Sequence, residues 1–157
     1  MARFDLIDGR YIRDLRIETI MDLIPHRHPF LLLDRIIEID VEEKSCTAIK
    51  NVSAGEMIFE GHFPGHPILP GVMSIEAMAQ ASAVYIMATD ETVDDELVYF
   101  MTIDNARFRK PITPGDQFKM TVTLKRQRGP VCRFAGIGYV GEDVAVECEF
   151  SAMIVDK

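Results

Sequence analysis

A histidine in a proline-locked loop, a glycine at a helix start and one glutamate on an apolar helix all fall within residues 61–80. The stretch reads Gly-His-Phe-Pro-Gly-His-Pro-Ile-Leu-Pro-Gly-Val-Met-Ser-Ile-Glu-Ala-Met-Ala-Gln. Its prolines and glycines exclude regular helix or central strand over the first half, so His62 sits on a stiff loop, a suitable place for a general base. Between Gly71 and Thr89 the only formally charged residue is Glu76. Apolar surroundings favour a protonated carboxyl, the form a general acid needs. Gln80 follows one helical turn later, where its amide can orient that carboxyl. Pro70-Gly71 suits a helix start, and Gly71 lets a ligand approach the backbone closely. The free N–H groups and positive dipole end there can stabilise a developing oxyanion. The segment thus combines a loop base, an oxyanion site and a carboxylic acid.

Simpler chemistry accounts for less of the pattern. His62 and His66 share the spacing of a helical metal pair, but Pro64 and Pro67 prevent that helix and no cysteine lies nearby, so no metal is expected. Ser74 lacks a surrounding Gly-x-Ser-x-Gly, and Gly-Ile-Gly at Gly136 is too short for a dinucleotide fingerprint. No cofactor is expected. Either His62 or Glu76 alone could be an ordinary structural or surface residue; the combination is what points to catalysis.

The elements that must position these groups follow from pattern. At 157 residues the chain is expected to form one domain, with residues 1–16 a loosely attached arm. Ile17, Ile20, Met21 and Ile24 have helical spacing, and Pro25 ends that helix. Residues 30–39 and 45–52 read as two strands around a polar turn. The long helix runs from Gly71 to about Thr89, where the acidic run Asp90–Glu96 opposes its dipole. Four strands then read as a meander, with Phe118, Met120, Val122 and Leu124 alternating cleanly against polar neighbours. Gly136 and Gly138 suggest a bulge or a close backbone approach. The fold class is α+β, an antiparallel sheet with the helix lying across it. Apolar residues around much of the helix imply a second subunit packed against it.

Composition limits the partners. A formal net charge of −8 disfavours nonspecific binding to nucleic acid or anionic membrane, although Arg107, Arg109 and Lys110, and separately Lys125, Arg126 and Arg128, form local basic clusters. Cys46, Cys132 and Cys148 are odd in number without Cys-x-x-Cys spacing, as expected of reduced thiols in a cytoplasmic protein. The apolar helix includes Glu76, Gln80, Ser74 and Ser82, which suits a buried core helix better than membrane insertion.

The central stretch, with Ile-Pro-His-Arg-His-Pro-Phe-Leu-Leu-Leu-Asp-Arg at 24–35 and Phe-Met-Thr-Ile-Asp-Asn-Ala-Arg-Phe-Arg-Lys-Pro at 100–111, closely resembles the FabZ family of (3R)-hydroxyacyl-[acyl-carrier-protein] dehydratases. The resemblance covers nearly everything from Ile17 onward; His28 stands where the family commonly has tyrosine. It implies a hot-dog fold, a curved antiparallel sheet wrapped around the central helix, and homodimers commonly assembled as trimers of dimers. It implies a composite site with His62 as base and, from the other subunit, Glu76 as acid. Gly71 N–H would polarise the thioester carbonyl, the Ile68 carbonyl would orient the His62 ring, and Tyr99 would gate the acyl tunnel. The implied partner is acyl carrier protein bearing a phosphopantetheine-linked acyl chain, docked on Arg107, Arg109 and Lys110. The service is type II fatty acid biosynthesis, with phospholipid or lipid A as destination. A dehydratase/isomerase, a thioesterase of the same fold and an inert acyl-binding module are the alternatives. Glutamate rather than aspartate at residue 76 favours the simple dehydratase over the isomerase.

Overall fold

Residues 3–93 and 96–156 are described by a computed structural model. The elements in chain order are β1 (Tyr11–Leu15), α1 (Ile17–Leu23), β2 (Arg35–Asp40), β3 (Ser45–Asn51), α2 (Ile58–Gly61), α3 (Gly71–Thr89), β4 (Leu97–Phe108), β5 (Gln117–Arg128), β6 (Val131–Val140) and β7 (Asp143–Val155). Among the described residues seven strands make one antiparallel sheet in the order β1-β2-β3-β5-β6-β7-β4. The sheet curls around α3, which touches β3, β5, β6 and β7. This is the hot-dog arrangement of the α+β class.

Helix and sheet approach closely where the sheet lacks side chains. A Cβ on Gly136 would lie 2.6 Å from Met78 Sδ, and one on Gly138 would lie 2.2 Å from the Phe118 ring. Hydrogen at these positions is what lets Met78 and Phe118 fill the space between α3 and β6. Of the bulge or close approach expected for this pair, the close approach is what they provide. The nearby β6–β7 shift, with Gly138 opposite Val146 and Tyr139 opposite Val144, puts its extra residue in β7 at Ala145. Around that contact Phe118, Phe134, Phe150, Met87 and Met120 are fully buried. Cys46, Cys132 and Cys148 are free and buried, and burial pushes the Cys132 and Cys148 thiols up to about 11. Thiols so placed are poor nucleophiles.

Four expectations need correction. First, residues 11–15 are not a loose arm: they form edge strand β1, with Ile12 and Leu15 buried and Tyr11 opposite Asp40. Arg10 Nε donates to Asp40 Oδ1 at 2.9 Å and fastens the start of this edge. Second, the strand expected over residues 30–39 begins only at Arg35. The preceding backbone bonds a side chain instead, with Leu32 N–H donating to Gln80 Oε1 at 2.9 Å and Phe30 O accepting from Gln80 Nε2 at 2.8 Å. Third, the last four strands are not a simple meander. β4 pairs with β7, from Leu97 opposite Val155 to Phe108 opposite Val146, and only β5–β6–β7 run in sequence. The Thr113–Asp116 turn does not fold back on β4, because its backbone is already committed: Gly115 N–H donates to Val52 O and Val52 N–H to Asp116 O.

The fourth concerns α3. Its own chain buries it from Ala77 onward, with only Ala79 and Thr89 partly exposed, so that stretch does not require a second subunit to cover it. Val72, 70% exposed, and the half-buried Met73 stay uncovered at the helix start. A longer uncovered apolar run lies on β4. Tyr99, Phe100, Met101, Ile103 and Phe108 are all exposed along this twelve-residue edge strand. Among the described residues α3 is also the one helix long and apolar enough to span a bilayer, and 78% of its apolar window is buried inside the fold. Asp94 and Asp95 of the acidic run lie outside the described residues.

The Arg10–Asp40 pair makes the β1 edge sensitive to acid. The hydrogen bond from Arg10 holds the Asp40 carboxyl below its ordinary range. A depressed carboxylate stabilises the fold above its unfolded-state value, and that contribution is lost as pH falls through the lower folded-state value. The protection of the Ile12 and Leu15 amides, taken relative to an unstructured chain at the same pH, is expected to fall as pH drops below the usual aspartate range, and Asp40→Asn should remove that pH dependence.

Candidate functional site

The base candidate is held by its own loop. His62 follows α2, and its backbone N–H donates to Ile58 O at 3.0 Å. Beyond it the chain makes a tight loop in which Phe63 N–H donates to His66 O, His66 N–H to Phe63 O and Ile68 N–H to His62 O. The imidazole Nδ1 lies 2.7 Å from Ile68 O. A carbonyl only accepts, so Nδ1 carries a proton, and in the neutral imidazole the bare lone pair is then on Nε2. The ring also stacks on Phe63 at 4.0 Å. The loop is anchored further back by Glu56, whose Oε2 accepts from the buried Lys50 Nζ at 2.9 Å and whose Oε1 accepts from Ser53 N–H at 3.0 Å.

Downstream, Leu69 N–H donates to Ile112 O at 2.8 Å and delivers the chain to Pro70, which caps α3 without a side-chain hydrogen bond. Gly71 is the first helical residue. Met73 N–H donates to Pro70 O at 2.9 Å, while the N–H groups of Gly71 and Val72 have no intrahelical acceptor and point out of the helix mouth. A cleft of about 400 Å³ opens there, lined by Ile68, Gly71, Ser74, Phe108, Arg109 and Ile112 among others.

Glu76 is 19% exposed at its side chain. Its Oε1 accepts from Gln80 Nε2 at 3.0 Å, the contact expected from their spacing. Gln80, only 1% exposed, is fixed in turn by Leu32 N–H and Phe30 O, so the 30–32 backbone sets the amide that sets the carboxyl. A second group reaches the same oxygen: His26 Nε2 stands 3.5 Å from Glu76 Oε1. His26 escaped the sequence reading. It lies within the Ile-Pro-His-Arg-His-Pro run, but no periodicity relates that loop to a helix so far along the chain.

Within one protomer, and among the described residues, no hydrogen bond or ion pair joins His62 to Glu76. Ile68 is brought to His62, and Gln80 to Glu76. Tyr99 is 55% exposed on β4, opposite Met153, and is not packed in the core. The basic cluster is partly neutralised. Arg109 pairs with Glu147 at 2.6 Å and Lys110 with Asp143 at 2.7 Å, while Arg107 makes no ion pair among the described residues. These hydrogen bonds hold the Glu147 and Asp143 carboxyls below their ordinary range. His66 is exposed, and among the described residues no three His, Cys, Asp or Glu side chains converge as a metal-ligand set.

Gly71 is sterically constrained as well as chemically placed. A Cβ there would lie 2.7 Å from Phe108 Cε1. Phe108 is half exposed, so its ring has room to swing away. Gly71→Ala is therefore expected to cost about 1 kcal/mol, the low end of overpacking. Thermal unfolding should show that Gly71→Ala costs little when made in a Phe108→Ala background, where no ring meets the added methyl.

Similarity to known proteins coincides with this arrangement. Residues 24–149 match the FabA-like domain. The chain is 52% identical to the 3-hydroxyacyl-[acyl-carrier-protein] dehydratase FabZ of Rhizobium rhizogenes, over 88% of this chain and 87% of that one. It is 51% identical to the FabZ of Magnetococcus marinus, over 88% and 91% of the two chains, and 47% identical to that of Rhodospirillum rubrum, over 90% and 88%. Among solved structures the dehydratase heterocomplex ApeI:P of Xenorhabdus doucetiae superposes with a TM-score of 0.76 at 21% identity, covering 88% of this chain and 91% of that one. A hot-dog-like protein of Thermanaerovibrio acidaminovorans does so with a TM-score of 0.58 at 14% identity, covering 72% and 82%; at such identities these two speak to the fold. By its sequence kinship and its fold, the chain belongs to the FabZ family of 3-hydroxyacyl-[acyl-carrier-protein] dehydratases.

Proposed function

We propose that this protein eliminates water from (3R)-hydroxyacyl thioesters of acyl carrier protein, giving trans-2-enoyl thioesters in type II fatty acid biosynthesis, with His62 as base and Glu76 as acid. The observation that carries the residue assignment is the His62 Nδ1 contact to Ile68 O, which leaves Nε2 as a free proton acceptor. Nε2 removes a proton from the carbon next to the thioester carbonyl. Charge develops on the carbonyl oxygen, where the Gly71 N–H and the α3 dipole stabilise it. Hydroxide is a poor leaving group, so Glu76 donates its proton as the carbon–oxygen bond breaks and the carbon–carbon double bond forms. The substrate proton ends on His62, water departs, and proton return from His62 to Glu76 resets the site. No cofactor takes part.

The assembly belongs to the same proposal. Two copies joined along β4 would cover its exposed apolar side chains and complete an edge that one chain leaves open. His62 of one copy would then act with Glu76 of the other, three such dimers would associate, and the acyl chain would run along the interface past Tyr99. The carrier would dock on Arg107, Arg109 and Lys110 in the cytoplasm, and the products would supply phospholipid or lipid A. Arg107 is the cluster member left outside an ion pair among the described residues, so it is the one whose charge is most available.

His62→Ala and Glu76→Ala are each expected to lower kcat at least about a hundredfold with oligomeric mass unchanged. Enoyl formation from the carrier thioester measures the rate, and thiol release in the same assay detects a thioesterase. Parent-like turnover by both variants would refute the assignment. Arg107→Glu should raise KM for carrier-linked substrate while sparing a short pantetheine thioester; equal effects on both would remove Arg107 from the dock.

A further inference from the structure

Nδ1 of His26 is the one buried side-chain nitrogen or oxygen, among the described residues, without a hydrogen-bond partner. Its loop is deliberately held. Arg27 Nη1 donates to Ile24 O and to His26 O, and Arg27 Nη2 to Met21 O, at 2.9, 2.7 and 2.9 Å. The ring is thereby kept at a small cavity that it shares with Glu76, Gln80, Val98, Phe100 and Ala152.

A neutral imidazole has one N–H and one bare nitrogen. A proton on Nδ1 would bury a donor with no acceptor, which folded proteins tolerate less readily than a bare acceptor. The tautomer with its proton on Nε2 avoids this and aims the N–H at Glu76 Oε1, 3.5 Å away. Gln80 Nε2 donates to that same oxygen at 3.0 Å. Gln80 therefore occupies Oε1 with the His26 N–H close by, and Oε2 has no hydrogen-bond partner among the described residues. A carboxyl proton cannot share an oxygen comfortably with one bonded N–H and another beside it. It belongs on Oε2.

We infer that His26 is a positioning residue: with Gln80 it fixes Glu76 Oε1 as an acceptor, so that Oε2 carries the proton delivered to the leaving hydroxyl. The inference rests on the reading of Glu76 as the acid. At 3.5 Å the two groups are in contact without a formed hydrogen bond, and contacts of this kind commonly tighten when the reacting complex forms. His26 itself touches no substrate in this scheme.

The test compares His26→Leu, His26→Gln, Glu76→Ala and the His26→Leu/Glu76→Ala double variant as assembled proteins. The probe is the 3-hydroxybutyryl thioester of acyl carrier protein, and melting temperature and oligomeric mass are measured alongside. His26→Leu is expected to lower kcat roughly tenfold or more with KM within about twofold, the pattern of a lost transition-state interaction. His26→Gln, which keeps a donor, should recover part of the rate. The double variant should be no slower than Glu76→Ala alone, because a residue acting through Glu76 has nothing to position once the carboxyl is gone. Should leucine disrupt the fold, His26→Ala is measured in its place. Parent-like kcat in the leucine or alanine variant overturns the inference, and so does a loss that persists undiminished in the Glu76→Ala background. So does a folded His26→Gln as slow as the leucine variant. Parent-like turnover by Glu76→Ala would sink the acid assignment itself, a result distinct from a failure of His26 alone.

Discussion

The constraint behind this fold is a helix that must be dry along its length yet open at its mouth. α3 carries 19 residues with one formal charge, and no polar face on which it could rest at a surface. The sheet answers by curling around it, and the close contact is possible because β6 has hydrogen atoms where Met78 and Phe118 need room. What remains accessible is the first turn at Gly71 and the carboxyl at Glu76. The enclosure of α3 and the placement of its two chemical features are thus one solution.

Polar satisfaction ties the parts together. Gln80 is buried, and a buried amide left unbonded is costly. Its bonds to Leu32 N–H, Phe30 O and Glu76 hold an irregular stretch that would otherwise bury unpaired backbone. The same logic acts at His62, where the Ile68 carbonyl fixes the ring nitrogen that keeps the proton. In both places backbone groups, which are rigidly placed, determine the state of a side chain that must be ready for proton transfer.

Local signals made much of this legible. Pro70-Gly71 marked the start of α3, the i,i+4 spacing placed Gln80 on Glu76, and the alternation of residues 118–124 defined β5. Long-range pairing was another matter. Nothing in the β4 residues says that their partner is β7 and not the next strand along, because that choice depends on backbone bonds between the 113–116 turn and Val52. β1 was hidden by its brevity and its charges, which suit an edge strand as well as a loose segment. The Phe30–Leu33 run looked like a strand because burial makes similar demands on irregular chain. His26 was invisible for the plainest reason: its relation to Glu76 exists only after folding.

The placement of β4 also bears on how the chain is made. Ribosomal synthesis delivers β4 before β5, β6 and β7, yet its one sheet partner among the described residues is the latest of these. Until β7 emerges, both rims of a twelve-residue strand bearing Tyr99, Phe100, Met101, Ile103 and Phe108 lack backbone partners. Nascent chains crowded on one messenger would present these strands to each other, and strands of this composition add to foreign sheets readily. The topology therefore leaves β4 waiting for a backbone partner until the last strand of the sheet is free to pair.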